Sequence, residues 1–228
     1  MDIVFTKMFH IPDGFEPTPA QKNVPTWYRD LDGYMNEGKK PFKNGQIPTT
    51  IKKCIPVFDA ITTGYLLKTF SDVYVSQEDG YPHYAWRDGS QIEFHPNVQA
   101  STYPDKMGEA PYPKWINPWS VKTPKGYSCL FITPTHRDLP FRILEGVVDT
   151  DKYWNNINFP FILKNQKWEG MIPAGTPIAQ VMPFKRDSFK MKLGTEEDLK
   201  KAKNIGDLVR VGFFDKYRNN WWSRKDYK

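Results

Sequence analysis

Long apolar runs are missing from this chain of 228 residues. No stretch approaches the roughly 18 residues that a membrane-spanning helix needs, so no membrane insertion is expected. The first residues, MDIVFTK, carry Asp2, and the segment breaks at Pro12. That is not the basic-then-apolar pattern of a secretory signal, and a cytoplasmic location is the expectation. Cysteine is scarce: Cys54 and Cys129 are the only two. Two thiols cannot build a disulfide framework or a cysteine-rich zinc site. Buried, reduced thiols are the expected state, although spacing alone leaves a bridge between them open.

Common catalytic signatures are absent too. The four histidines are His10, His83, His95 and His136. None stands four residues from another, and there is no HExxH, so a helical zinc site is excluded. His136-Arg137-Asp138 has the spacing of an iron-binding facial triad. No later histidine follows it to complete the set. There is no GxSxG for a nucleophile elbow, no GxGxxG, and no GxxxxGK[ST].

What the chain does contain is proline and aromatic residues. Proline reaches 20 of 228 and aromatics 15%, with 8 Trp and 12 Tyr. Proline at nearly twice its usual share of about 5% works against long helices. The aromatic content works against disorder. Both favour a mainly β fold with many turns. The net charge of +6 supports solubility without indicating nucleic acid as the partner.

Along the chain, residues 1–50 read as an N-terminal arm: a strand in residues 1–9, a short helix over 20–31, and a polar loop over 35–50 bearing Lys39, Lys40 and Lys43. Residues 51–190 read as a β-rich core. Residues 51–75 are densely apolar, punctuated by Gly64 and Ser71-Asp72, and read as two strands. Further strands are expected at 91–94, at 127–132 and at 178–182. One across residues 157–163 is expected to lie at an edge or a bulge because of Pro160. Residues 191–228 read as a helical extension with a basic aromatic tail. Thr195 and Asp198 resemble a capping box and open a helix interrupted by Gly206. A second helical stretch carries Phe213, Phe214 and Tyr217. The tail, YRNNWWSRKDYK over 217–228, offers rings for base stacking and cations for phosphate. It makes single-stranded nucleic acid a weak candidate partner through residues 218–228.

Four segments carry a resemblance. Residues 145–153, EGVVDTDKY, precede INFPFILKN, and MIPAGTPIAQV follows at 171–181; ITTGYL stands earlier, at 61–66. Their order and approximate separation resemble motifs of the dUTPase and dCTP deaminase superfamily. The chain also resembles uncharacterised proteins of tailed phages and some bacteria, through VPTWYRDL, TIKKCIPVFDA and IPAGTPIAQVMPF.

The superfamily resemblance implies a β-clip fold, a distorted barrel or sandwich, in a homotrimer. It implies a deoxynucleotide ligand with Mg2+ as cofactor, in the host cytoplasm or the virion if phage-encoded. Asp149 would be the catalytic base or ribose acceptor. Tyr153, Gln180, Arg137, Gly64 and Tyr65 would contact the nucleotide. The phosphate-gripping motif is reduced to Arg137 alone, Leu66 replaces the acid of the first motif, and no glycine-rich arm follows. What is implied is nucleotide recognition by a diverged pyrophosphatase-type protein, with little grip left for catalysis. The alternative is a phage structural or assembly protein on the same scaffold without activity.

Overall fold

The computed structural model describes residues 1–35, 48–100, 103, 111–211 and 216–228. In chain order the elements are β1 (Val4–Lys7), β2 (Thr18–Pro19), α1 (Thr26–Asp30), α2 (Ile55–Thr62), β3 (Tyr65–Lys68), β4 (Val73–Glu78), β5 (Tyr81–Trp86), β6 (Ile92–His95) and β7 (Tyr112–Trp115). There follow β8 (Trp119–Lys122), β9 (Tyr127–Ile132), β10 (Phe141–Ile143), β11 (Gly146–Val148), β12 (Phe159–Leu163), β13 (Gly170–Ile172), β14 (Pro177–Lys185), α3 (Glu196–Val211) and α4 (Lys216–Asn220). The fold is mainly β, and among the described residues every strand pairing is antiparallel.

The described residues form two compact units. The first comprises Met1–Asn23, Thr63–Arg186 and Tyr227. Its sheets have the orders β11-β9-β14-β3-β2, β10-β12-β7-β6, β13-β4-β5 and β1-β8. Among the described residues none of them closes into a barrel. The core is aromatic: Trp115 stacks on Phe161 at 4.6 Å between ring centroids, with Phe141 at 5.2 Å from Trp115. All three are fully buried. Alternation explains this placement, since residues two apart on a strand share a face. Phe141 and Ile143 point inward from β10, as Phe159 and Phe161 do from β12.

The second unit comprises Val24–Thr62, Asp187–Asp226 and Lys228. In it Tyr28 stacks on Phe58 at 6.3 Å and donates through its hydroxyl to the Lys52 carbonyl at 3.1 Å. Trp222 anchors the tail by donating Nε1–H to both carboxylate oxygens of Asp59 at 3.0 Å, and Lys225 pairs with the same carboxylate.

Several sequence expectations are corrected. The helix expected over 20–31 is a 3₁₀ turn, Ala20–Lys22, followed by the short α1. Pro25 separates them, because a residue before proline avoids the helical region. The first strand expected between residues 51 and 64 is a helix, α2. Its apolar positions Ile55, Phe58 and Ile61 stand three apart, which is helical spacing. Thr62 caps its last turn by donating to the Phe58 carbonyl at 2.8 Å. Pro160 lies in an interior strand, since β12 is flanked by β10 and β7. The pairings are staggered: β7 covers 159–160 and β10 covers 161–163. The Pro160 carbonyl accepts from Leu144 N, just past the end of β10, so the missing N–H deprives no ladder partner.

Gly206 does not interrupt α3. The capping box forms reciprocally: Asp198 accepts from Thr195 N and Oγ at 2.8 Å, and Thr195 Oγ accepts from Asp198 N at 3.3 Å. Tyr217 of the second helical stretch lies in α4, while Phe213, Phe214, Lys39, Lys40 and Lys43 lie outside the described residues. Both cysteines are free thiols, and burial pushes the Cys129 thiol up to about 11. Among the described residues no helix is long and apolar enough to cross a membrane.

Candidate functional site

The six site residues expected from sequence fall into two groups along one ladder. β14 pairs with β9 so that Gln180 faces Ile132 and Phe184 faces Ser128. Four strand residues separate the two ends by about 13 Å. Gln180, Gly64, Tyr65 and Arg137 belong to the first end, Asp149 and Tyr153 to the second.

At the first end Gln180 is 1% exposed. Its Nε2 donates to the Thr63 carbonyl at 2.7 Å. Its Oε1 accepts from Thr135 N at 3.0 Å and from Thr135 Oγ at 3.2 Å. A buried amide must find such partners, and these tie the chain before β3 to the loop after β9. Gly64 makes the approach feasible: its φ is +78, and a Cβ there would overlap the Val181 carbonyl. Its own carbonyl accepts from Ala20 N at 2.9 Å. Tyr65, half-buried on β3, packs edge-on against Phe5 at 5.2 Å. The loop after β9 turns through His136 at φ 54 and delivers Arg137, whose guanidinium donates to the Asn23 carbonyl. Burial lowers the Arg137 pKa from its ordinary value, and among the described residues no carboxylate pairs with it.

At the second end Asp149 accepts from Ser128 Oγ at 2.7 Å and from Arg186 at 3.0 Å. Arg186 also forms a two-pronged pair with Asp151, whose Oδ2 accepts from Gly126 N at 2.8 Å. The hydroxyl of Ser128 and the Arg186 charge hold Asp149 below the usual carboxylate range. Arg186 and the Gly126 amide bring Asp151 down to about 2. A general base works best with a pKa near the operating pH. These carboxylates are displaced the other way: Asp151 ties the Gly126 turn to Arg186 at the end of β14, and Asp149 is engaged through Oδ1 by Ser128 and Arg186. Tyr153 donates its backbone N–H to the Asp149 carbonyl at 2.9 Å, while its side chain stands 51% exposed.

Arg186, Ser128, Asp151 and Thr135 complete these arrangements. Sequence reading did not single them out, because partners 35 or 45 positions apart leave no local pattern. Among the described residues no three His, Cys, Asp or Glu side chains gather as a metal site. Comparison with known protein families and with curated proteins finds no match to either.

The Asp151–Arg186 clamp predicts a pH response. A carboxylate near 2 in the folded state and about 3.9 in the unfolded state contributes stability that is full above pH ~4 and lost as pH falls toward 2. Asp151→Asn is expected to lower the urea midpoint at neutral pH and to flatten its fall between pH 4 and 2. Wild-type and variant curves that run parallel across that window would show the clamp to be uncoupled from folding.

Proposed function

We propose that this protein is a non-catalytic β scaffold that assembles with copies of itself, a structural or assembly protein of the phage type built on a β-clip-like core. The observation that carries this reading is how the candidate site residues are occupied. Asp149 is engaged by Ser128 and Arg186, Gln180 by Thr63 and Thr135, and Arg137 by a backbone carbonyl. They lie in two groups rather than around one substrate-sized space. Fold alone does not fix function, and here the groups that would do chemistry hold strands together. The expected outcome by sedimentation velocity at micromolar concentration is an oligomer, the trimer of the superfamily resemblance being the specific expectation. A monomer at every concentration tested would overturn the reading.

A second reading, recognition of a deoxynucleotide, is favoured by one observation. Among the described residues the Arg137 charge meets a carbonyl and no carboxylate, so an anionic group would complete its pairing. A thermal-shift panel of deoxynucleoside mono- and triphosphates, with and without Mg2+, separates the two. A ligand at 100 times its Kd adds about 2.7 kcal/mol of stability. The scaffold reading predicts a flat panel. A shift that disappears in Arg137→Met would establish nucleotide binding instead.

A further inference from the structure

We propose that residues 188–194 of one copy are a docking arm whose Phe189 fills a cleft in the β unit of a second copy. This rests on the self-assembly reading above and names the surface it would use. The segment reads Ser188-Phe-Lys-Met-Lys-Leu-Gly194, with apolar and basic residues alternating strictly. In an extended chain that pattern puts Phe189, Met191 and Leu193 on one face and Lys190 and Lys192 on the other. The three apolar side chains are 90%, 87% and 89% exposed. Isolated exposed apolar residues are ordinary, but three aligned on one face form a patch of the kind that marks an interaction site.

The cleft lies wholly within the β unit and has a volume of about 260 Å³. Its lining includes the aromatic side chains of Phe15, Phe70 and Tyr74 and the charged ones of Asp72, Arg87 and Asp88. Drug-sized ligands occupy roughly 300–1,000 Å³, so this space suits a single side chain better. Aromatic walls suit an aromatic occupant, because rings pack favourably edge to face. The lining bears two carboxylates against one guanidinium. Asp72 uses Oδ1 to accept from Ala174 N at 2.8 Å, and among the described residues nothing pairs with the Asp88 carboxylate. Lys190 starts on the opposite face from Phe189, and its four-carbon stem is long enough to turn the ammonium back to those carboxylates at the cleft edge.

The geometry requires a second copy. Arg186 is fixed at one end of β14, its amide donating to the Gly126 carbonyl at 2.8 Å. The cleft, with Ala174, lies beyond the other end of the same strand. Nine strand residues, Pro177–Lys185, span about 25 Å. Three residues from Arg186 to Phe189 reach at most about 11 Å. Phe189 therefore cannot enter the cleft of its own chain.

The test is sedimentation velocity on the full chain over a concentration series. Phe189→Ser replaces an exposed residue, so folding should survive, and it is expected to raise the association Kd about tenfold or more. Asp88→Lys and Lys190→Asp are each expected to weaken association several-fold, and the charge-swapped double variant to recover to within about twofold of wild type. If wild type is oligomeric and Phe189→Ser or Asp88→Lys leaves its Kd unchanged, the docking proposal falls while the assembly reading stands. Failure of the double variant to recover also overturns it. A wild type that is monomeric throughout overturns both.

Discussion

Trp115→Ala is expected to cost about 3–5 kcal/mol, the range for removing a fully buried aromatic ring. Trp115 is the centre of the core, stacked on Phe161 and packed against Phe141, with no exposed surface. Three sheet strands converge on that one ring: β7 supplies it, and β10 and β12 supply its neighbours. The collapse needed to refill the space would have to move strands on both sides of β12, so the upper half of the range is the expectation. At about 2–4 °C per kcal/mol for a chain of this size, the melting temperature should fall by roughly 10 °C or more. Trp115→Phe is the informative companion. Among the described residues the Trp115 indole N–H has no acceptor, so the smaller ring surrenders volume but no hydrogen bond and should cost clearly less than the alanine. Denaturant melts of both variants check this. Equal costs would mean that the indole nitrogen has a partner, such as buried water, that the phenyl ring cannot keep.

The second large effect is expected at Gly64→Ala. The substitution adds one methyl group, yet two penalties combine. A non-glycine residue held at φ +78 costs about 1–3 kcal/mol. The new Cβ would also overlap the Val181 carbonyl, a backbone atom in the β3–β14 ladder. Strands there must separate, at about 1 kcal/mol for each ladder hydrogen bond lost. A total of about 2–4 kcal/mol follows, measured as a shift of the urea midpoint. Gly80→Ala is the control: its φ is also positive, but nothing lies within 4 Å of the added Cβ. It should cost only the conformational part. If the two variants prove equal, close backbone approach at Gly64 contributes nothing. A glycine in a candidate nucleotide motif thus has a sufficient reason in the strand crossing itself.

Much of the local structure was legible because its causes are local. The strand at Tyr127–Ile132, the turn around Gly175 and the Thr195–Asp198 capping box each depend on residues within a few positions of one another. Errors came where two local signals competed. Around Ile55, β-branched and aromatic residues suggested a strand, while three-residue spacing and Pro56 in the first turn favoured the helix that forms. At Pro160 the edge-strand rule assumed ladders of equal extent on both sides, and their stagger relieves it.

The candidate site divides in the same way. Sequence alone determined the composition class, the mainly β character, the punctuation by Gly64 and Gly175, and which acids, amides and arginines were available. It could not determine that Gln180 would meet Thr135, or that Arg186 would clamp Asp149 and Asp151. Those meetings depend on the β9–β14 register, and a register is a collective property of two strands and the face they bury. The tertiary structure alone decided the separation of the six residues into two groups. It alone set Arg186 and the Phe15–Phe70–Tyr74 cleft at opposite ends of β14. Both follow from the length of β14, a rigid strand that holds its two ends apart.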